Sequence, residues 1–190
     1  MTKLTKTGEN LEFGIGLAFI FIAAVLRFLP HPPNFAPIEA MALFGGTYFS
    51  RKTALVLPIA AMLVSDAFIG FYQAPVMASV YGSFLISVLL GFWLKGHKKW
   101  YAVGGAAILS AVLFFIITNF AVWAFTPWYA KTFSGIAQCY IMALPFFRNT
   151  LSGNLFYVIM FFGSYELVLI WVKKRFGLIE KISIPKTANF

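Results

Sequence analysis

Side chains that could hold a polar ligand are few in this chain, and they keep returning to one level of it. Arg27, Glu39, Asp66, Asn119 and Asn154 each interrupt a long apolar stretch, while His31, Asn34, Tyr72, Gln73, Arg148 and Asn149 fall in short polar gaps beside them. A guanidinium at Arg27 or Arg148 suits a carboxylate or phosphate through paired N–H donors. Glu39 or Asp66 suits a donor. Tyr81, Trp123, Trp128, Tyr140 and Tyr157 add flat faces. At helical spacing Asn154, Tyr157 and Phe161 share roughly one face, polar at one end and apolar deeper. This chemistry is recognition of a small amphipathic molecule with a ring and a few polar groups. The plainer account of the same residues is structural. Arg27 would pair with Glu39 or Asp66, the asparagines would bond between helices, and Tyr72 and the tryptophans would anchor at an interface.

Catalytic chemistry has little to stand on. There is no G-x-x-x-x-G-K-[ST] loop, no G-x-S-x-G elbow and no H-E-x-x-H pair. Two histidines exist, and His97 lies in the basic stretch Lys95 to Lys99. His31 and Cys139 are the remaining metal-ligating types on one side, too few for a site. A single cysteine excludes an intrachain disulfide. No catalytic residue, metal or cofactor is expected.

The elements that carry these residues follow from composition. Hydrophobic residues make up 61% of the 190 and charged residues 11%, too few charges to cover a soluble domain. Crossing a bilayer takes roughly 20 apolar residues over about 30 Å of hydrocarbon. Stretches of that kind fill residues 11–29, 53–71, 76–94, 101–125 and 151–172, with a shorter one at 35–49. The prolines around His31, the pair Arg51-Lys52, the 95–99 stretch, Thr126-Pro127 and Lys173-Lys174-Arg175 separate them. The first stretch runs into Arg27 and Pro30 without a cleavage signature and reads as a retained helix. Residues 129–147 read as an interfacial or re-entrant segment on the outer face.

Charge decides the count. With 35–49 crossing and 129–147 not, Lys3, Lys6, Arg51, Lys52, Lys95, Lys98, Lys99, Lys173, Lys174, Arg175, Lys181 and Lys186 all lie on the cytoplasmic side, against Lys131 and Arg148 outside. The expectation is therefore an all-α bundle of six transmembrane helices in one domain, both termini cytoplasmic, in a bacterial cytoplasmic membrane. The net charge of +9 reflects those loops, and no nucleic-acid partner is expected. That topology puts the binding-type residues near the outer surface. Small residues at four-residue spacing mark helix packing: Ser79, Ser83, Ser87 and Gly91, and the pairs Ala42/Gly46 and Gly14/Ala18.

Two stretches carry a resemblance. Arg27-x-x-Pro30-His31-Pro32-Pro33-Asn34-Phe35-x-Pro37 runs into Ala42-Leu43-Phe44-Gly45-Gly46, followed by Ser65-Asp66 with Gly70. Cys139-Tyr140, Pro145-Phe146-Phe147-x-Asn149-Thr150-Leu151 and Gly153-Asn154-Leu155 extend it. Together they resemble a family of uncharacterised small bacterial membrane proteins labelled as transport proteins. Its architecture is similar to the S components of energy-coupling factor vitamin transporters. That resemblance implies a six-helix protein that binds a vitamin or similar micronutrient near the outer face. It also implies a coupling subunit and ATPases as partners, with Gly14 and Ala18 standing where a docking A-x-x-x-A pair occurs. The implied ligand contacts are Arg27, His31, Asn34, Glu39, Asp66, Tyr81, Asn119, Trp123, Arg148, Asn154 and Tyr157. The alternative expectations are an intramembrane enzyme acting on lipid headgroups and a membrane assembly or scaffold protein.

Overall fold

A computed structural model of the chain describes residues 13–14, 17–18, 21–22, 25 and 32–175. Among the described residues there are five helices and no strand: α1 Ile38–Tyr48, α2 Arg51–Ile69, α3 Ala74–Leu94, α4 Trp100–Phe125 and α5 Phe133–Arg175. Helices α2 to α5 are each long and apolar enough to cross a membrane. They turn large apolar side chains outward, among them Phe68, Leu89, Phe120, Ile159 and Leu167. Such a surface is tolerated only against lipid or a partner protein. The chain is a multi-pass membrane protein.

Helix α1 is the hub. Residues 38 to 47 are all buried, and α1 packs against α2, α3, α4 and α5. A helix apolar on every side is stable only when surrounded. Its 11 residues rise about 16 Å, short of the hydrocarbon thickness. The stretch expected at 35–49 is thus a helix of 11 residues shielded by its neighbours, and its buried backbone does not meet lipid. The turn before it is set by chemistry: Phe35 N–H donates to Pro32 O at 2.9 Å, with Pro33 and Asn34 between. Asn34 has φ +63°, the left-handed value that position i+2 of a type II turn demands and asparagine tolerates.

The tightest contact is between α1 and α3. A Cβ on Gly46 would lie 2.3 Å from Val88 O and 2.8 Å from Gly91 Cα, and one on Gly91 would lie 2.4 Å from Leu43 O. Thr47 Oγ1 spans the junction, donating to Leu43 O at 2.8 Å and reaching Gly91 O at 3.3 Å. The stripe on α3 is therefore packing surface, as its spacing implies: Gly91 meets α1, and Ser87 Oγ meets Ser110 Oγ of α4 at 2.6 Å.

Two boundaries shift. Arg51-Lys52 opens α2 instead of closing the preceding helix, because Ser50 caps α2 by accepting from Thr53 N–H at 3.3 Å. Pro58 sits inside α2 without ending it. The larger correction concerns 129–147 and 151–172, expected as separate pieces and found as one helix of 43 residues. At about 1.5 Å per residue it is about 65 Å long, twice the hydrocarbon thickness. Pro145 lies within it. A proline removes one N–H but need not end a helix in apolar surroundings, where every other backbone group gains from remaining helical. The count of six spans is not reproduced among the described residues. The expected first span, 11–29, falls largely outside them, though residues 13–14, 17–18, 21–22 and 25 are helical.

Candidate functional site

The Pro33-Asn34 turn, the first turn of α1 and all four long helices converge on a partly open cavity of about 290 Å³. Asn34 and Ala36 line it from the turn, Ile38 and Glu39 from α1, Met62 from α2, and Tyr72 from the α2–α3 connection. Val80 and Phe84 of α3, Phe114 of α4 and Thr150 of α5 complete it. Exposure grades through it: Asn34 and Tyr72 are open at the mouth, whereas Ile38, Glu39, Met62, Phe84 and Thr150 are buried. The Phe84 and Phe114 rings stack, with centroids 5.6 Å apart and planes inclined by 22°. They form an aromatic wall.

Helix α5 holds the mouth in place. Asn149 Nδ2 donates to Pro33 O at 3.0 Å. A Cβ on Gly153 would stand 3.1 Å from Phe35 Cα, so the glycine lets the turn lie directly on the helix. Thr150 Oγ1 spends its hydrogen on Phe146 O at 3.0 Å. Its methyl group and ring neighbours are left to contact an occupant.

Glu39 is the polar centre of the site. It is 5% exposed, its Oε1 has no hydrogen-bond partner, and its Oε2 has only a long contact, Ser110 Oγ at 3.4 Å. A second buried acceptor, Asn154 Oδ1, also lacks a partner, while Asn154 Nδ2 donates to Ala107 O at 2.8 Å. Ala107 and Ser110 are one turn apart on α4, so both orphaned oxygens lie against the same stretch of that helix. Buried acceptors without donors cost about 1–3 kcal/mol each. A fold keeps such groups where something other than stability depends on them.

Asp66 and Tyr81 brace the wall without lining it. Tyr81 Oη donates to Asp66 Oδ2 at 2.7 Å, joining α2 to α3 beside Met62 and Val80. Asp66 is 1% exposed. Tyr81→Phe is expected to lower stability by about 0.5–1.5 kcal/mol, the net range for one intramolecular hydrogen bond. Thermal unfolding in detergent measures it, and an unchanged midpoint would show that Asp66 does not depend on the tyrosine.

The remaining expected contacts divide. Asn119 Nδ2 bonds to Phe115 O of its own helix at 2.8 Å, which corrects its assignment to the site. Trp123 lies at the end of α4, its Nε1 donating to Ala130 O at 3.0 Å. There the Lys131 ammonium donates to Trp123 O and, at 2.6 Å, to Thr126 O, closing the helix C-terminus. Trp123 braces that turn and does not line the cavity. Arg148 is exposed and does not line the cavity. Tyr157 belongs to an aromatic cluster with Phe35 at 5.6 Å and Phe161 at 5.9 Å, behind the mouth. Arg27 and His31 lie outside the described residues. Among the described residues no three His, Cys, Asp or Glu side chains could hold a metal. Cys139 is buried, its Sγ reaching Asn119 O at 3.5 Å. Gly14 and Ala18 are helical and mostly open, and a Cβ on Gly14 would meet nothing within 4 Å.

Ala36, Ile38, Met62, Val80, Phe84, Phe114 and Thr150 of the lining, and Ser110 beside Glu39, are the contributors that pattern reasoning missed. Phe84 and Phe114 carry no mark that separates them from the chain's 23 phenylalanines. Ser110 did carry one: it is a hydroxyl midway along a mostly apolar 26-residue helix.

The chain matches the model of a family of unknown function, DUF6580, over residues 8–179. No curated protein and no solved structure matches it.

Proposed function

The chain belongs to DUF6580, a family of unknown function, and from that premise we propose that it is the substrate-binding membrane subunit for uptake of a vitamin or similar small micronutrient. One observation carries this reading: a partly open cavity runs from an exposed polar mouth to a buried, under-bonded carboxyl beside stacked rings. Its volume of about 290 Å³ is at the small end of ligand sites. In this account the mouth faces outward in a bacterial cytoplasmic membrane and both termini are cytoplasmic, with α1 and its flanking turns making one of six crossings. Support for that orientation comes from the far end of α1, where Tyr48 donates to Glu166 Oε1 at 2.6 Å and the Lys98 ammonium sits 4.4 Å from the Tyr48 ring centroid. Lys95, Lys98 and Lys99 thus gather opposite the cavity, where basic residues belong if that side is cytoplasmic.

The chain has no nucleotide-binding loop, so transport in this scheme draws energy from partners of the S-component kind, a coupling subunit and ATPases. The open Gly14/Ala18 face is the docking surface. Purified protein is expected to be stabilised by at least one member of a vitamin and cofactor-precursor panel. A ligand at about 100 times its Kd adds about 2.7 kcal/mol, a rise of roughly 5–10 °C for a chain of this size. Phe84→Trp, which fills the cavity, should abolish the rise. A panel without any shift, or a shift that survives Phe84→Trp, would overturn the reading.

A further inference from the structure

Resting on the reading of this cavity as the substrate site, we propose that its occupant carries a nitrogen cation, a protonated amine or amidine borne on a flat ring, that donates to the Glu39 carboxyl.

The argument begins with hydrogen counting. Ser87 Oγ donates to Ser83 O at 3.1 Å, and Ser87 and Ser110 lie 2.6 Å apart. Either hydroxyl can donate in the 2.6 Å contact, so Ser110 gives its single hydrogen either to Ser87 or, at 3.4 Å, to Glu39 Oε2. A hydroxyl has one hydrogen to give, and a contact of 3.4 Å is beyond ordinary O–H···O range. Oε1 has no partner at all. A carboxyl that is 95% buried therefore enters the cavity wall with no partner on Oε1 and one long contact on Oε2.

The rest of the lining selects the donor's charge and shape. Among the described residues no lysine, arginine or histidine lines the cavity, and Glu39 is the carboxyl that does. An anionic group would meet that carboxyl, whereas a cation is matched by it. The Phe84 and Phe114 faces also attract a cation and accept a flat ring. At the mouth the Asn34 amide can accept from a second N–H.

Benzylamine, benzyl alcohol and benzoate test this, being close in size and differing in charge. Binding to the full chain in lipid nanodiscs would be measured by calorimetry, alongside Glu39→Gln. The expected result is benzylamine at least about tenfold tighter than benzyl alcohol, with benzoate weakest and the preference gone in Glu39→Gln. Asn34→Asp provides a second reading if the glutamine variant does not fold. Aspartate also accepts φ +63°, and a carboxylate at the mouth should tighten benzylamine several-fold. Benzoate binding as well as benzylamine, a preference retained without the Glu39 carboxylate, or no binding by any probe would each overturn the proposal. So would stabilisation by sodium chloride over choline chloride without a response to benzylamine, which would identify a site for a bare cation. The two readings of the cavity fail separately. A micronutrient that binds while benzylamine shows no preference removes the amine and leaves uptake; benzylamine binding with a silent panel does the reverse.

Discussion

A Glu39→Met variant is expected to melt higher than the parent protein and to bind nothing in the cavity. Methionine approximates the length of glutamate and brings no acceptor. Replacing a buried acceptor that lacks a donor removes its desolvation penalty, about 1–3 kcal/mol, or roughly 2–4 °C for each kcal/mol in a chain of this size. Ser110 loses little, because its short bond to Ser87 at 2.6 Å remains. Binding goes because the Glu39 carboxyl, which lines the cavity, goes with it. Stability and function then move in opposite directions, as they do where a site is kept at the expense of the fold. A melting temperature that falls in Glu39→Met would show that the carboxyl holds the bundle together, and the site would lose its centre.

The second large effect is structural. Gly46→Leu and Gly91→Leu are each expected to yield no folded, monodisperse protein, and Gly46→Ala to be strongly destabilised. Overpacking generally costs about 1–3 kcal/mol when neighbouring side chains can adjust. Here the added Cβ meets backbone, Val88 O at 2.3 Å or Leu43 O at 2.4 Å, and backbone in the middle of two helices cannot move aside. The contact also joins the hub helix to the rest, so separating α1 from α3 opens the wall that carries Glu39. Gly104→Ala is the control of opposite sign. Nothing lies within 4 Å of its Cβ position in α4, so the change should leave stability level or raise it by about 0.5–1 kcal/mol. Equal behaviour of Gly46→Ala and Gly104→Ala in size-exclusion chromatography and melting would remove the close packing argument.

The polar residues of the site were partly legible and partly not. Asn34 and Glu39 stood out because a polar side chain at membrane depth is costly and has few reasons to be there, and both line the cavity. The same cost argument draws in Asn119, a flat ring draws in Trp123 and a loop cation Arg148, and none of the three lines the cavity. Asn119 offsets its cost within one turn by bonding to Phe115 O, an outlet that any asparagine in a helix has and that no spacing rule forbids. Asp66 and Tyr81 were found as residues but not in their role, since their mutual hydrogen bond serves the wall and not the void. The aromatic wall was illegible: Phe84 and Phe114 are 30 residues apart on two helices, and their stacking follows from how α3 and α4 are rotated about their axes.

Charge distribution misjudged α5 for a related reason. The balance of basic residues asked for an even number of crossings, and residues 129–147 were set aside to satisfy it. That rule concerns which side a loop lies on and is silent about whether a helix continues past the membrane surface. Helix α5 does continue, through Pro145, for 43 residues.

Membrane residence and the bounds of α2, α3 and α4 to within about two residues were determined by the sequence alone, because hydropathy and length are sums over neighbouring residues and need no knowledge of the fold. The burial of α1, the continuity of α5 and the choice of Glu39 over Asp66 as the group facing the void were decided only in three dimensions. Those depend on which helices meet and on the rotation each adopts, and a bundle whose outer surface is as apolar as its interior gives no periodic signal from which to read that rotation.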